Sequence, residues 1–198
     1  MQHQHIQTIV ETALCVALAV VLNFIAMRLP INVAGGSISM TMLPIAILAL
    51  RRGCIAGGAA GTLFGLLDLL IEPFILVPAQ VLLDYPVPYL LFGMAVGGFS
   101  KLYKNLSIMP PDSTSTDQPR QLAIPALLLV VSLLTGGALR YVCHVFSGVL
   151  FFAEYAGGQN VWIYSLVYNV SYLGPSLLAS ILCVLILMPI LDKAVPVR

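Results

Sequence analysis

The chain has 198 residues, 60% of them hydrophobic and only 9% charged, with a mean hydropathy of +1.00 and a formal net charge of +1. A soluble domain carries roughly 25% charged residues, so this composition excludes a soluble enzyme and indicates an integral membrane protein. The near-neutral balance also argues against a nucleic-acid partner.

Apolar stretches run at about 6–29, 39–50, 53–71, 79–100, 121–151 and 162–191, and several reach the ~20 residues that a spanning helix needs. The expectation is an all-α integral membrane protein, a bundle of six transmembrane helices forming a single membrane domain over residues 1–198. Its cytoplasmic loop, at about 105–120, is expected to be flexible. The amino terminus lacks the basic region and cleavage site of a secretory signal, so the first span is expected to be retained. That span carries Ala13 and Ala17, with Ala19 near, a small-residue surface against which another helix can pack. The loop from Leu29 to Ser39 is broken by Pro30 and by Gly35-Gly36 and is long enough to fold over a site as a lid. The 39–50 stretch is short enough to pack deep in protein without crossing the bilayer alone.

Gly53, Gly57, Gly61 and Gly65 recur at four-residue intervals in the third span, where they allow close approach of another backbone. Glu72-Pro73-Phe74 ends this span. Asp84-Tyr85-Pro86-Val87-Pro88 interrupts the start of the fourth, because proline removes backbone donors and frees carbonyls. Irregular backbone at membrane depth is tolerated chiefly beside protein or a wet cavity, so Asp84 is expected to line one. The segment from Met109 to Pro119 is polar, proline-rich and of low complexity, a loop between spans four and five.

In the fifth span Arg140, His144, Gly148 and Phe152 stand at strict four-residue spacing, which on a helix makes one stripe of cation, imidazole, gap and aromatic. Ionisable groups inside hydrocarbon are costly, so this stripe is a candidate functional site. The plainer reading is an arginine snorkelling to the interface and a histidine satisfied by a neighbouring carbonyl. The sixth span opens with Trp162 and continues with Tyr164, Tyr168 and Tyr172 at helical spacing. Asn169 lies about 140° round from Tyr164, so both meet one ligand only if it sits across the top of the helix. Tryptophan and tyrosine at a span's mouth also form the ordinary interfacial belt. The four cysteines, Cys15, Cys54, Cys143 and Cys183, have no metal-ligand spacing and read as small buried hydrophobes.

Seven of the nine basic residues, Arg51, Arg52, Lys101, Lys104, Arg120, Lys193 and Arg198, fall on alternate connections of one side. By the positive-inside rule that side is cytoplasmic, with both termini. The other face then gathers Asp84, Tyr85, His144, Phe152, Tyr164 and Asn169, with Arg140 deeper. One carboxylate among flat aromatic faces, amide and phenol suits a small heteroaromatic ligand carrying positive charge. There is no nucleophile elbow, no zinc-protease motif and no phosphate-binding loop, so an enzyme is not expected, and an ATPase motif is missing from this chain.

The blocks Gly35 to Pro44 (GGSISMTMLP), Leu50-Arg-Arg-Gly53, Leu82-Leu-Asp-Tyr-Pro86, Cys143 to Phe152 (CHVFSGVLFF), Glu154-Tyr155 and Tyr164 to Asn169 (YSLVYN) occur in order over nearly the whole chain. In this the sequence resembles the thiamine-specific substrate-binding (S) component of energy-coupling-factor vitamin transporters. The resemblance implies a multi-pass cell-membrane protein, of the prokaryotic plasma membrane, that binds thiamine from outside and needs no cofactor. It would deliver the ligand with a transmembrane coupling subunit and two ATPase subunits. It also implies ligand contacts at Asp84, Tyr85, Arg140, His144, Gly148, Phe152, Tyr164 and Asn169, and a coupling-subunit surface at Ala13 and Ala17. Phe152 stands where relatives often have Trp, Arg140 where they have Lys, and the first external loop has no aromatic. Two other readings remain open at this point: the same scaffold for another small vitamin or precursor, and a self-sufficient secondary carrier for a small organic cation.

Overall fold

A computed structural model describes residues 2–28, 32–33, 36–107 and 118–195. The chain is helical in the order expected: α1 (Gln2–Arg28), α2 (Met42–Arg52), α3 (Cys54–Ile71), α4 (Pro78–Asp84), α5 (Pro86–Gly98), α6 (Ser100–Ser107), α7 (Gln118–Phe151) and α8 (Val161–Ala194). Among the described residues five segments are long and apolar enough to span a bilayer: Gln4–Arg28, Cys54–Ile71, Pro78–Ser107, Ala123–Phe151 and Val161–Ala194. The sixth, α2, has 11 residues, and Met42, Ile45, Ala46, Leu48, Ala49 and Leu50 are almost wholly buried. A helix too short to cross alone is thus enclosed by the others, as its length requires.

Two departures from the sequence expectation are local. A ribbon of two short strands, β1 (Asn32–Val33) and β2 (Gly36–Ser37), pairs antiparallel within the first external loop and lies beside α8. The rest of the lid expected there, 29–31 and 34–35, lies outside the described residues. The loop at about 105–120 is helical at both ends, because α6 continues to Ser107 and α7 begins at Gln118; residues 108–117 are outside the described set.

The helix breaks fall where backbone chemistry demands them. Gly53, at φ +91°, turns the chain between α2 and α3 in a conformation that a side chain disfavours. Tyr85 separates α4 from α5, and Pro86 occupies the first turn of α5, where a missing N–H costs nothing. The glycine ladder of α3 packs on the α4–α5 segment: a Cβ on Gly57 would meet the carbonyl oxygen of Gly93 at 2.4 Å, and one on Gly65 that of Tyr85 at 2.4 Å. Between lipid-facing helices association depends on such close packing rather than on expulsion of water. A Cβ on Gly61 would stand 2.0 Å from the Tyr89 carbonyl oxygen, so Gly61→Ala is expected to cost about 1–3 kcal/mol of stability through overpacking. Thermal unfolding in detergent checks this, and an unchanged midpoint would mean that the two helices separate freely.

The two ends of the bundle differ in chemistry. At the end holding the described chain's two extremities, Arg52 pairs with Glu11, with Nε donating at 2.6 Å, and Arg51 meets Asp192 at 3.5 Å and donates to the Val195 carbonyl at 2.7 Å. The Tyr103 hydroxyl donates to Asp192 at 2.7 Å. This knot ties α1, α2, α6 and α8. The opposite end holds the cavity.

Candidate functional site

A cavity of about 660 Å³ lies between α1, α3, α4, α5, α7 and α8, bordered by Ser37 and Ser39 of the first external loop. All eight residues expected from the sequence to meet a ligand line it: Asp84, Tyr85, Arg140, His144, Gly148, Phe152, Tyr164 and Asn169. The stripe on α7 therefore faces a cavity rather than lipid. Its last member differs from expectation in one respect: α7 ends at Phe151, so Phe152 stands one residue past the helix, though its N–H still donates to the Gly148 carbonyl at 3.1 Å.

Gly148 has a packing reason as well as a place in the wall. A Cβ there would lie 2.2 Å from Ser165 Oγ, so α7 and α8 meet closely at this point only because a hydrogen stands in the gap. Across the same contact Ser165 donates to the Val145 carbonyl at 2.9 Å and the Asn169 amide to the His144 carbonyl at 3.3 Å, while within α8 that amide also donates to the Ser165 carbonyl at 2.9 Å. The Asn169 side-chain oxygen accepts from the Tyr172 hydroxyl at 2.8 Å. Asn169 thus bolts α8 to α7 and leaves little of its amide unengaged. Tyr164, Tyr168 and Tyr172 form a continuous aromatic column, with centroids 6.0 and 5.6 Å apart, that ends on the His144 ring at 6.4 Å.

The polar side of the cavity is one connected chain. Arg140 lies 4.1 Å over the Tyr89 ring and its Nη2 donates to the Tyr89 hydroxyl at 2.8 Å. Its Nε points at His144 Nε2 at 3.4 Å, and His144 Nδ1 stands 3.7 Å from Asp84 Oδ1. A nitrogen that accepts from arginine carries no proton, so this geometry puts the imidazole proton on Nδ1, toward Asp84. The other Asp84 oxygen accepts from Gln80 Nε2 at 2.7 Å.

Gln80, only 1% exposed, also accepts from the Leu76 N–H and donates to the Phe74 carbonyl. Tyr85 works on the same loop: its hydroxyl accepts from the Phe74 N–H at 2.8 Å and donates to the Glu72 carbonyl at 2.9 Å. Together they hold Phe74 in place, so that its ring stacks on Phe152 with centroids 5.9 Å apart and planes 17° off parallel.

Sequence reading counted one carboxylate here; the structure brings three to the cavity, Asp68, Glu72 and Asp84. Asp68 was missed although an ionisable residue within a span is itself a functional signal. Asn23, Phe74 and Tyr89 were missed because only tertiary pairing, with Asp68, Phe152 and Arg140, gives them their places, and Gln80 because its partners lie in an irregular turn with no motif. No group of metal-ligating side chains is found among the described residues.

Fold and cavity define a multi-pass protein of the cell membrane with a ligand-sized, acid-lined chamber at one end of a helical bundle. The chain belongs to the thiamine transporter protein family (Thia_YuaJ), whose family model matches residues 9–195. It is 33% identical over 188 residues to the thiamine transporter ThiT of Bacillus subtilis strain 168, covering 93% of this chain and 92% of the relative. To the thiamine transporter ThiT of Lacticaseibacillus paracasei strain ATCC 334 it is 29% identical over 198 residues, covering 98% of this chain and 90% of the relative. A solved structure of ThiT from Listeria monocytogenes superposes with a TM-score of 0.72 at 31% identity, covering 98% of this chain and 97% of that one.

Proposed function

We propose that this chain is the thiamine-binding S component of an energy-coupling-factor importer, taking thiamine at the outer face and releasing it inward with a separate coupling subunit and two ATPase subunits. The observation that carries this reading is the convergence of acidic, imidazole and aromatic side chains on one cavity. Thiamine is a flat aminopyrimidine joined to a permanently charged thiazolium. A desolvated aromatic face is worth ~2 kcal/mol or more to such a cation, and carboxylates offset the loss of its water. The tyrosine column and the Phe74–Phe152 pair offer the faces. Asp84, fixed by Gln80 and His144, offers charge in a set direction.

Ala13 and Ala17 lie on the exposed side of α1, away from the buried Thr12, Val16, Ala19 and Asn23. The neighbouring Ile9, Val10, Leu14 and Leu18 are exposed apolar side chains. A shallow small-residue notch in an apolar helix face admits another helix closely, which suits the coupling subunit. The basic cluster of Arg51, Arg52, Lys104 and Lys193 at the end remote from the cavity fits a cytoplasmic placement of both termini.

Two measurements test this. A membrane-impermeant thiol reagent is expected to label a cysteine placed at Gly158 in intact cells and not one placed at Ser113; the reverse would invert the topology. Cells holding this chain without ATPase-containing partners are expected to bind thiamine and not to accumulate it. Accumulation by the chain alone would favour a secondary carrier.

A further inference from the structure

Asp84 is not the cavity carboxylate with the most unspent capacity. Both of its oxygens are engaged, one by Gln80 at 2.7 Å and the other facing His144 at 3.7 Å. Asp68, on α3, accepts a single hydrogen bond, from Asn23 Nδ2 to Oδ1 at 2.7 Å. Among the described residues no cation stands within ion-pair distance of it, and no donor reaches its second oxygen. Asn23 comes from α1, is 6% exposed, and borders the same cavity. The charges of the lining are also unbalanced: Asp68, Glu72 and Asp84 face one arginine, Arg140, whose hydrogen bonds go to Tyr89 and His144. A largely desolvated carboxylate with one partner is costly, and a positively charged ligand supplies what is missing.

We propose that Asp68 is a second carboxylate that meets the positive charge of the ligand, and that Asn23 is the positioning residue that turns its free oxygen into the cavity. The proposal rests on the thiamine reading above and adds a charge-selecting contact to it. Asn23 uses its amide as a donor, so it fixes the orientation of Asp68 without neutralising it. A neutral flat ligand of the same shape gains nothing from Asp68, whereas a cation does. Asp68 is thereby a determinant of charge selectivity rather than of shape.

The test compares thiamine with its thiophene isostere, which keeps the shape and lacks the charge, by calorimetry on the purified full chain. Asp68→Asn is expected to weaken thiamine roughly 10-fold, the scale of one charged hydrogen bond, while binding of the isostere changes little. Asn23→Ala is expected to lower the thiamine-to-isostere ratio in the same direction by a smaller factor, and Asp68→Glu to restore part of it. Equal weakening of both ligands by Asp68→Asn would make the residue merely structural and overturn the proposal, as would unchanged thiamine affinity in both Asp68→Asn and Asn23→Ala. Thiamine binding by the wild type with no such effect in the variants sinks this inference alone, whereas wild-type protein that does not bind thiamine sinks the functional reading with it.

Discussion

Ala13→Trp and Ala17→Trp are each expected to bind thiamine with wild-type affinity and to support no uptake. Both side chains lie on the exposed side of α1, and the helix buries Val16, Ala19, Asn23 and Ala26 instead. An indole there does not enter the fold, and neither position lines the cavity. It does hold an approaching helix off by more than a methyl group, and close backbone contact is lost. The variants should fail to co-purify with the ATPase-containing partners. Full uptake by both would mean that this face meets only lipid.

A second large effect is expected at the centre of the polar chain. Asp84→Asn keeps the shape of the side chain and its contact with Gln80 but removes the charge, so thiamine binding should weaken by about 1–3 kcal/mol, roughly 5- to 150-fold. His144→Ala opens the chain at its middle, leaving Arg140 Nε without its acceptor and Asp84 without its 3.7 Å neighbour. It also strips the imidazole from the foot of the tyrosine column. A loss of similar size is expected. Variants that fold and keep wild-type dissociation constants would remove this chain from the binding site.

Much of this architecture was legible in the sequence because the signals are local. Four-residue spacing alone put Arg140, His144 and Gly148 on one face, and an arginine in an apolar span has to face something other than lipid. Prolines at 86 and 88 marked the helix break that leaves Tyr85 at the cavity rim. The glycine ladder announced a close helix contact, though not that its partner is the α4–α5 segment.

What the sequence did not show depends on pairing across the chain. Gln80 sits in a short apolar helix and has no motif; its importance comes from three hydrogen bonds to groups at positions 74, 76 and 84. Tyr85 likewise reads as a ligand residue, but its hydroxyl is committed to the loop that carries Phe74. Asn169 reads as a directional donor, yet its amide is taken up by the Ser165 carbonyl of its own helix and the His144 carbonyl of α7. Tyr85 and Asn169 border the cavity with these groups already engaged, which spacing along one helix cannot reveal.

Thiamine binding by this chain alone is what the proposed function requires first. Isothermal titration of the purified protein in detergent, without ATP and without partner subunits, should give saturable one-site binding of thiamine. Its isolated pyrimidine precursor and riboflavin should bind far more weakly, because the first lacks the cation and the second its compact shape. No heat with thiamine, or tighter binding of riboflavin or of the pyrimidine, would contradict the assignment.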